Sequence, residues 1–323
     1  MGTVAAVSAA PTASVDPFRE YLPSLPGWLA WGIYVALVPA VVIFGWLFIR
    51  RVHRSGTTCR ELSAGVLAAV RDNPRAVGRR VIGDVFGQAR VRRDRLGATL
   101  HLLIFGSFGL LLVGTALVGV QHDLTSPAFG WEYLRGDFYL GFELVLDTAA
   151  LGLLAGTALA MWRRYRQRPA HLGGRRSVPV VYGFLIFFAL SGLILEALRL
   201  LVHPAPWRHW SYAGFVVSKI LHPLTDGHPV GAYQTFWALH VIVAFVFIAL
   251  LPMLMLDHVL VLPLNLALQA TREPGRLTTP FDLPRIVAAD GDLDGITAGV
   301  ASPVELPWQR RFMLDACIDC GRC

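Results

Sequence analysis

Five stretches of the chain, roughly 28–49, 98–120, 138–161, 179–202 and 234–258, are apolar around the whole circumference of a helix rather than along one face. Each approaches or exceeds the roughly 20 residues that carry a helix across a bilayer. Lipid offers the backbone no hydrogen-bond partners, so such stretches are predicted to be helices that satisfy their own peptide groups. The predicted fold class is an all-α membrane protein, a five-span transmembrane helix bundle over residues 21–270. Residues 1–20, rich in Ala, Ser, Thr and Val, read as a disordered tail without a secretory signal. In segment 57–92 the apolar positions Val66, Leu67, Val70, Val77, Val81, Ile82, Val85 and Phe86 predict helical pieces lying on the membrane, with a solvated basic loop as the alternative. The stretch "WRHWSYAGFVVSKILH" (207–222) is amphipathic and predicts an interfacial helix. Residues 271–311 are rich in Pro, Gly and Asp, lack a helical period, and read as a cytoplasmic linker. No internal repeat is evident.

Composition agrees with a membrane domain. Hydrophobic residues make up 54 % and charged residues 16 %, where soluble domains are nearer 25 % charged. The net charge of +7 does not point to nucleic acid, because the arginines collect beside apolar runs. Segment 50–96 holds twelve Arg against four acidic residues, and segment 162–178 holds six Arg and no acid. Segment 121–137 has Arg135 against Asp123, Glu132 and Asp137, and segment 203–233 has only Arg208 and Lys219 as fixed cations. By the positive-inside rule the N-terminus is expected outside, and both Arg-rich loops and everything after 258 are expected in the cytoplasm. The expected location is a cell membrane, with lipid as the first partner.

Ionisable residues within a bilayer are costly and mark function. His101 opens the second span; His240 and His258 lie near the outer and inner ends of the fifth. The 18-residue interval from His240 to His258 is five helical turns, so both rings are expected to leave one face about 27 Å apart. That pattern suits two haems stacked across a membrane, each taking one axial histidine. His101 and His258 fall at the same inner level and are the expected inner haem b pair, against the plainer reading of two interfacial histidines. For an outer haem, His240 has His122 as candidate partner and His203 as fallback. Asp147, Glu196 and Arg199 gather at the outer level. Glu196 and Arg199, spaced i, i+3, either neutralise each other or serve as quinone proton acceptor (Glu196 or Asp147) and propionate partner (Arg199). Glycines 106, 109, 114 and 119 thin the second span, for close helix packing or for a porphyrin.

Cys59 stands alone and reads as a plain thiol. Cys317, Cys320 and Cys323 have C-x2-C-x2-C spacing, too tight for a disulfide scaffold and suited to metal ligation. A zinc knuckle is the alternative, but zinc motifs pair C-x2-C with a second couple. The run opens the bacterial ferredoxin motif, and Gly321 permits its turn. Three thiolates do not complete a 4Fe-4S cluster, so the chain is expected to be the N-terminal piece of a longer protein, with 312–323 the start of a truncated ferredoxin-like Fe–S domain.

The segments "GATLHLLIFGSFGLLLVGT" (97–115), "LSGLILEALRL" (190–200), "WALHVIVAFVFIALLPMLMLDHVLVLPLN" (237–265) and "FMLDACIDCGRC" (312–323) resemble one known arrangement. It is the membrane cytochrome b domain of the respiratory nitrate reductase gamma-subunit type, fused to a heterodisulfide-reductase-like iron–sulfur domain, as in electron-transfer-flavoprotein:menaquinone oxidoreductases. The fifth-span pattern of His240, Pro252, His258, Pro263 and Asn265 is the most specific part. The resemblance implies haem b in the membrane, 4Fe-4S clusters in the cytoplasm, menaquinone as substrate and an electron-transfer flavoprotein or other cytoplasmic redox partner. The nitrate reductase subunit carries a second histidine ten residues after the first in its second span; here that position is Leu111, so the resemblance supplies no second-span ligand for the outer haem at that position. The expected function is quinone oxidoreduction, passing electrons from the cytoplasmic donor through Fe–S clusters and haem to menaquinone. Two alternatives stand beside it: a quinol-oxidising subunit feeding a heterodisulfide or sulfur-compound reductase, and a haem-free scaffold or transporter.

Overall fold

The computed structural model describes residues 16–20, 24–89, 91–169, 177–225, 227–269 and 302–316. Among them the chain is helical, with no strand beyond one antiparallel bridge between Phe18 and Arg135. Five helices are long and apolar enough to cross a membrane: Gly27–Arg54, Arg95–Phe129, Gly136–Gln167, Ser177–Val202 and Pro229–Met253. The all-α, five-span class is therefore observed.

The regular elements are α1 (Gly27–Arg54), α2 (Cys59–Asp72), α3 (Pro74–Arg80), α4 (Arg95–Val120), α5 (Ser126–Phe129), α6 (Gly136–Trp162), α7 (Ser177–Val202), α8 (Tyr212–Leu221), α9 (Pro229–Leu250), α10 (His258–Gln269) and α11 (Trp308–Asp315). Their ends follow local chemistry. α1 closes with basic residues Arg51, His53 and Arg54 against its carbonyl end, and Gly56 turns the chain at φ +70°. α2 opens with a reciprocal capping box: Thr58 Oγ1 accepts from Glu61 N, and the Glu61 carboxylate accepts from Thr58 N. Those bonds hold the Glu61 carboxyl below its usual range. α3 takes Pro74 at its first turn, where no backbone N–H is missed.

The described residues fall into two compact units. One comprises those within Met1–Ala30, Ile104–Leu154 and Ala189–Trp237; the other, those within Trp31–Leu103, Ala155–Phe188 and Ala238–Cys323. In the first unit Leu134, Tyr139 and Phe142 pack with Leu117, Val118 and Trp207, and Ala150, Leu193 and Ala213 pack with Leu111 and Leu154. Small residues let the backbones approach. A β-carbon on Gly152 would stand 2.5 Å from Ser107 Oγ, and one on Gly214 would stand 2.6 Å from Glu196 Cγ. Residues 16–20, read as tail, instead strap this unit. Gly136 N donates to Pro17 O at 2.7 Å and Arg19 N to Leu134 O at 3.2 Å.

In the second unit Val52, Leu62, Val261 and Phe312 form one core with Cys59, Leu264, Leu268 and Trp308 around it; Ala69, Val77 and Ala267 form another with Val66 and Val81. The one-sided pattern in 57–92 is thus split. Val66, Val77 and Val81 turn toward α10, while Leu67, Ile82 and Phe86 stay exposed. The outer stretch 207–222 is a helix only over Tyr212–Leu221, preceded by a 3-10 turn at Arg208–Trp210. It buries Ala213, Gly214 and Ser218 rather than its large side chains. The boundary placed between linker and Fe–S domain at 311/312 falls inside α11, which docks through Phe312, 1 % exposed.

The fifth predicted span, 234–258, needs a correction. α9 ends at Leu250, a 3-10 turn spans Leu251–Met253, Leu254 is extended (φ −81°, ψ 164°), and a new helix starts at His258. Pro252 is the cause: it has no N–H to donate and its ring clashes with the preceding turn. His240 and His258 therefore sit on separate helices, and the five-turn register between them does not apply.

Replacing Phe312 by Ala is expected to cost about 3–5 kcal/mol and to release α11. Protease cleavage within 302–316 should become faster; unchanged protection would show that Phe312 does not anchor the segment.

Candidate functional site

Polar groups collect at two places, one in each unit. In the unit that includes α10, three segments meet at the buried guanidinium of Arg51, 7 % exposed. Its Nε donates to Asp257 Oδ2 at 2.9 Å, its Nη2 donates to Asp315 O at 2.6 Å, and its Nη1 pairs with the Asp315 carboxylate. Ser55 Oγ also donates to Asp315 Oδ2, at 3.1 Å. Asp257 immediately precedes His258, and Asp315 stands two positions before Cys317. One cation thus ties the start of α10 to the approach of the cysteine motif. Cys317, Cys320 and Cys323 themselves lie outside the described residues.

His258, the first residue of α10, has Nδ1 2.8 Å from Met255 O. A carbonyl only accepts, so Nδ1 is the donor and Nε2 carries the ring's lone pair. His101, in the second turn of α4, has Nδ1 3.1 Å from Gln88 Oε1, which assigns the same tautomer. A histidine whose Nδ1–H is engaged by an acceptor is the usual form of a metal-ligating imidazole. His240 belongs to the same unit but stands among rings: Phe187 stacks at 6.2 Å between centroids and Phe188 lies edge-on at 5.7 Å. No group of three or more His, Cys, Asp or Glu able to hold an ion occurs among the described residues.

The other unit holds a buried charge network on α6, α7 and α8. Arg199 Nε and Nη2 grip both oxygens of Glu196 at 3.0 and 2.6 Å. Nη2 also reaches Glu143 Oε2 at 2.9 Å, and Nη1 reaches the Tyr139 hydroxyl at 3.2 Å. Glu143 accepts further bonds from Arg19 Nη1 at 2.8 Å and from the Ser211 hydroxyl. Asp147 Oδ2 accepts the Ala213 and Gly214 amides at 2.6 and 3.1 Å, satisfying N–H groups that α8 would otherwise leave open. Of the candidates placed here from the sequence, Glu196 and Arg199 bind each other as the i, i+3 spacing allows, and Asp147 caps a helix. Glu143, Arg19, Tyr139 and Ser211 were missed. Glu143 alone left a trace, since it lies one turn from Asp147 on an apolar span.

His122 and His203 both line a cavity of about 400 Å³ in this unit, with Arg19, Gln121, Glu132 and Arg135 among its walls. His203 is held by Ser24 Oγ at 2.9 Å and Glu20 Oε2 at 3.1 Å; His122 lies 3.9 Å from Asp123. His122 and His203 belong to this unit and His240 to the other.

Against known proteins, the chain is 29 % identical over 254 residues to the "EtfAB:quinone oxidoreductase" of Syntrophomonas wolfei, a match covering 74 % of this chain and 33 % of that protein. It is 22 % identical over 245 residues to the "Probable iron-sulfur-binding oxidoreductase FadF" of Bacillus subtilis, covering 74 % and 32 %. The chain thus spans about a third of the length of these curated relatives. No family model matches, and no solved structure matches. The likeness is to oxidoreductases.

Replacing Arg199 by Met leaves Glu143 and Glu196 facing each other without their shared cation. Loss of one partner from a buried ion pair costs about 3–5 kcal/mol, so the midpoint of thermal unfolding in detergent should fall clearly. Adding Glu196→Gln should recover part of the loss. An unchanged midpoint in the single variant would remove the structural role given to the network.

Proposed function

We propose that the chain is the membrane electron-transfer part of a quinone oxidoreductase. It passes electrons between a cytoplasmic donor of the electron-transfer-flavoprotein kind and menaquinone, by way of Fe–S clusters and haem b. The observation that carries this reading is the pair of histidines, His101 and His258, each with Nδ1 engaged by an acceptor. The donor set fits a haem b iron held by two imidazoles, and the bound haem would supply reversible one-electron transfer. The Arg51 bridge supports an electron entrance beside His258, since it holds the residues leading to Cys317 against the residue before His258. Cys317, Cys320 and Cys323 are the proposed first ligands of a 4Fe-4S cluster, with the rest of its ligands further along the longer protein. One relative is named an EtfAB:quinone oxidoreductase, which supports a flavoprotein and a quinone as the two ends of the proposed path.

The orientation proposed is N-terminus outside and C-terminus cytoplasmic, with the Arg-rich segments 50–96 and 162–178 inside. The domain limits of 21–270 for the membrane part and 271–311 for the linker belong to this proposal, moved at the linker's end by the docked α11. Reducing menaquinone consumes protons as well as electrons. Glu196 and Asp147 remain the proposed proton-exchanging groups, each at the expense of a protein partner it now holds. Arg199, with Nε and Nη2 given to carboxylates and Nη1 to Tyr139, could reach a propionate only by giving up part of that network. The proposal includes a second haem on His240 with His122 as partner, Leu111 standing ten residues after His101 where no imidazole is available.

The test is haem content measured after purification and denaturation. His101→Ala and His258→Ala are each expected to lower the haem-to-protein ratio by one site, while Cys59→Ser leaves it unchanged. Full haem content in both histidine variants would overturn the ligand assignment.

A further inference from the structure

Gln88 is a residue that its own loop does not explain. Its backbone lies at φ +50°, a region that glycine enters freely and a residue with a β-carbon does not. The side chain is 5 % exposed. Its amide oxygen is used, 3.1 Å from His101 Nδ1, while its amide nitrogen is buried with no hydrogen-bond partner. A buried polar atom left unpaired demands an explanation, and strained backbone gathers where a group must be held in place.

The loop around it is built to hold that conformation. Ala89 N donates to Gly83 O at 3.2 Å, and the Gln88 carbonyl accepts from Val91 N at 3.0 Å and Arg92 N at 3.1 Å. Gly87 has no room for a side chain, since a β-carbon there would stand 2.7 Å from Gly83 O. The backbone is therefore pinned on both sides of a residue that glycine would suit better. A glycine would remove the strain and the orphaned nitrogen together. What it would also remove is the acceptor on His101.

We infer that Gln88 is a positioning residue for His101: its amide oxygen takes the Nδ1–H, fixes the ring orientation, and leaves Nε2 as the nitrogen that meets the haem iron. This rests on His101 being a haem ligand. Outer-shell acceptors of this kind set both ligand orientation and ligand basicity. The strained backbone and the unpaired amide nitrogen are what the fold gives up to bring that oxygen to the imidazole.

The test compares Gln88→Gly and Gln88→Glu with the unaltered full-length protein and with His101→Ala. The glycine variant suits the φ of the site, so its thermal midpoint should equal or exceed that of the unaltered protein. Its haem should be retained about 10–100-fold less tightly, and the midpoint potential should rise. The glutamate variant should keep its haem with a lower midpoint potential, because a carboxylate acceptor gives the imidazole more anionic character and favours ferric iron. Unchanged retention and potential in both variants, with haem lost in His101→Ala, would overturn the role of Gln88 and leave the haem reading intact. Haem retained in full by His101→Ala would overturn both.

Discussion

The guanidinium of Arg51 is the contact on which the arrangement around His258 depends. It lies at the end of a long apolar helix, buried, and binds carboxylates from two segments more than two hundred residues away in sequence, at Asp257 and Asp315. Arginine suits the task because its fixed fork offers several donors and keeps its charge when buried. Removing it would strand two carboxylates at once, and breaking even one buried pair costs about 3–5 kcal/mol. The apolar contacts of Val52, Leu62, Val261 and Phe312 surround the same junction. Charge and packing thus fix one register for α1, α10 and α11, and Asp257 and Asp315 lead from that register to His258 and to the cysteine motif.

The network at Arg199 solves a different problem. Three carboxylates and Arg199 in apolar helices would be prohibitively costly singly, yet here each finds partners inside the protein, with Arg19 of the strap completing the set. A quinone or a propionate would have to compete with those partners. The proposed redox centre is therefore placed at the histidines of the other unit rather than at this network.

What the sequence disclosed follows from what short-range pattern can carry. Span number and class were legible because lipid forces whole helices to be apolar. The break at Pro252 was not, because residues 241–256 are apolar on both sides of it and hydropathy does not register a missing N–H. Glu143 was hidden because its partner Arg19 is 124 residues away. Gln88 was hidden because a lone glutamine in an arginine-rich loop looks solvated; only its φ and its burial set it apart. His101 and His258 stood out as histidines beside long apolar runs, but the acceptors that orient them, Gln88 and the Met255 carbonyl, leave no mark in the hydropathy pattern. Residues 16–20 looked like tail because five residues carry no period, although Arg19 reaches a buried carboxylate.

The most direct test of a haem held by His101 and His258 is the reduced-minus-oxidised absorption spectrum of the purified, folded chain. A sharp α-band of b-type haem, lost on replacing either histidine, is the result expected. A well-folded preparation of the unaltered chain with no α-band, after expression with ample haem supply, would contradict the electron-transfer reading at its centre.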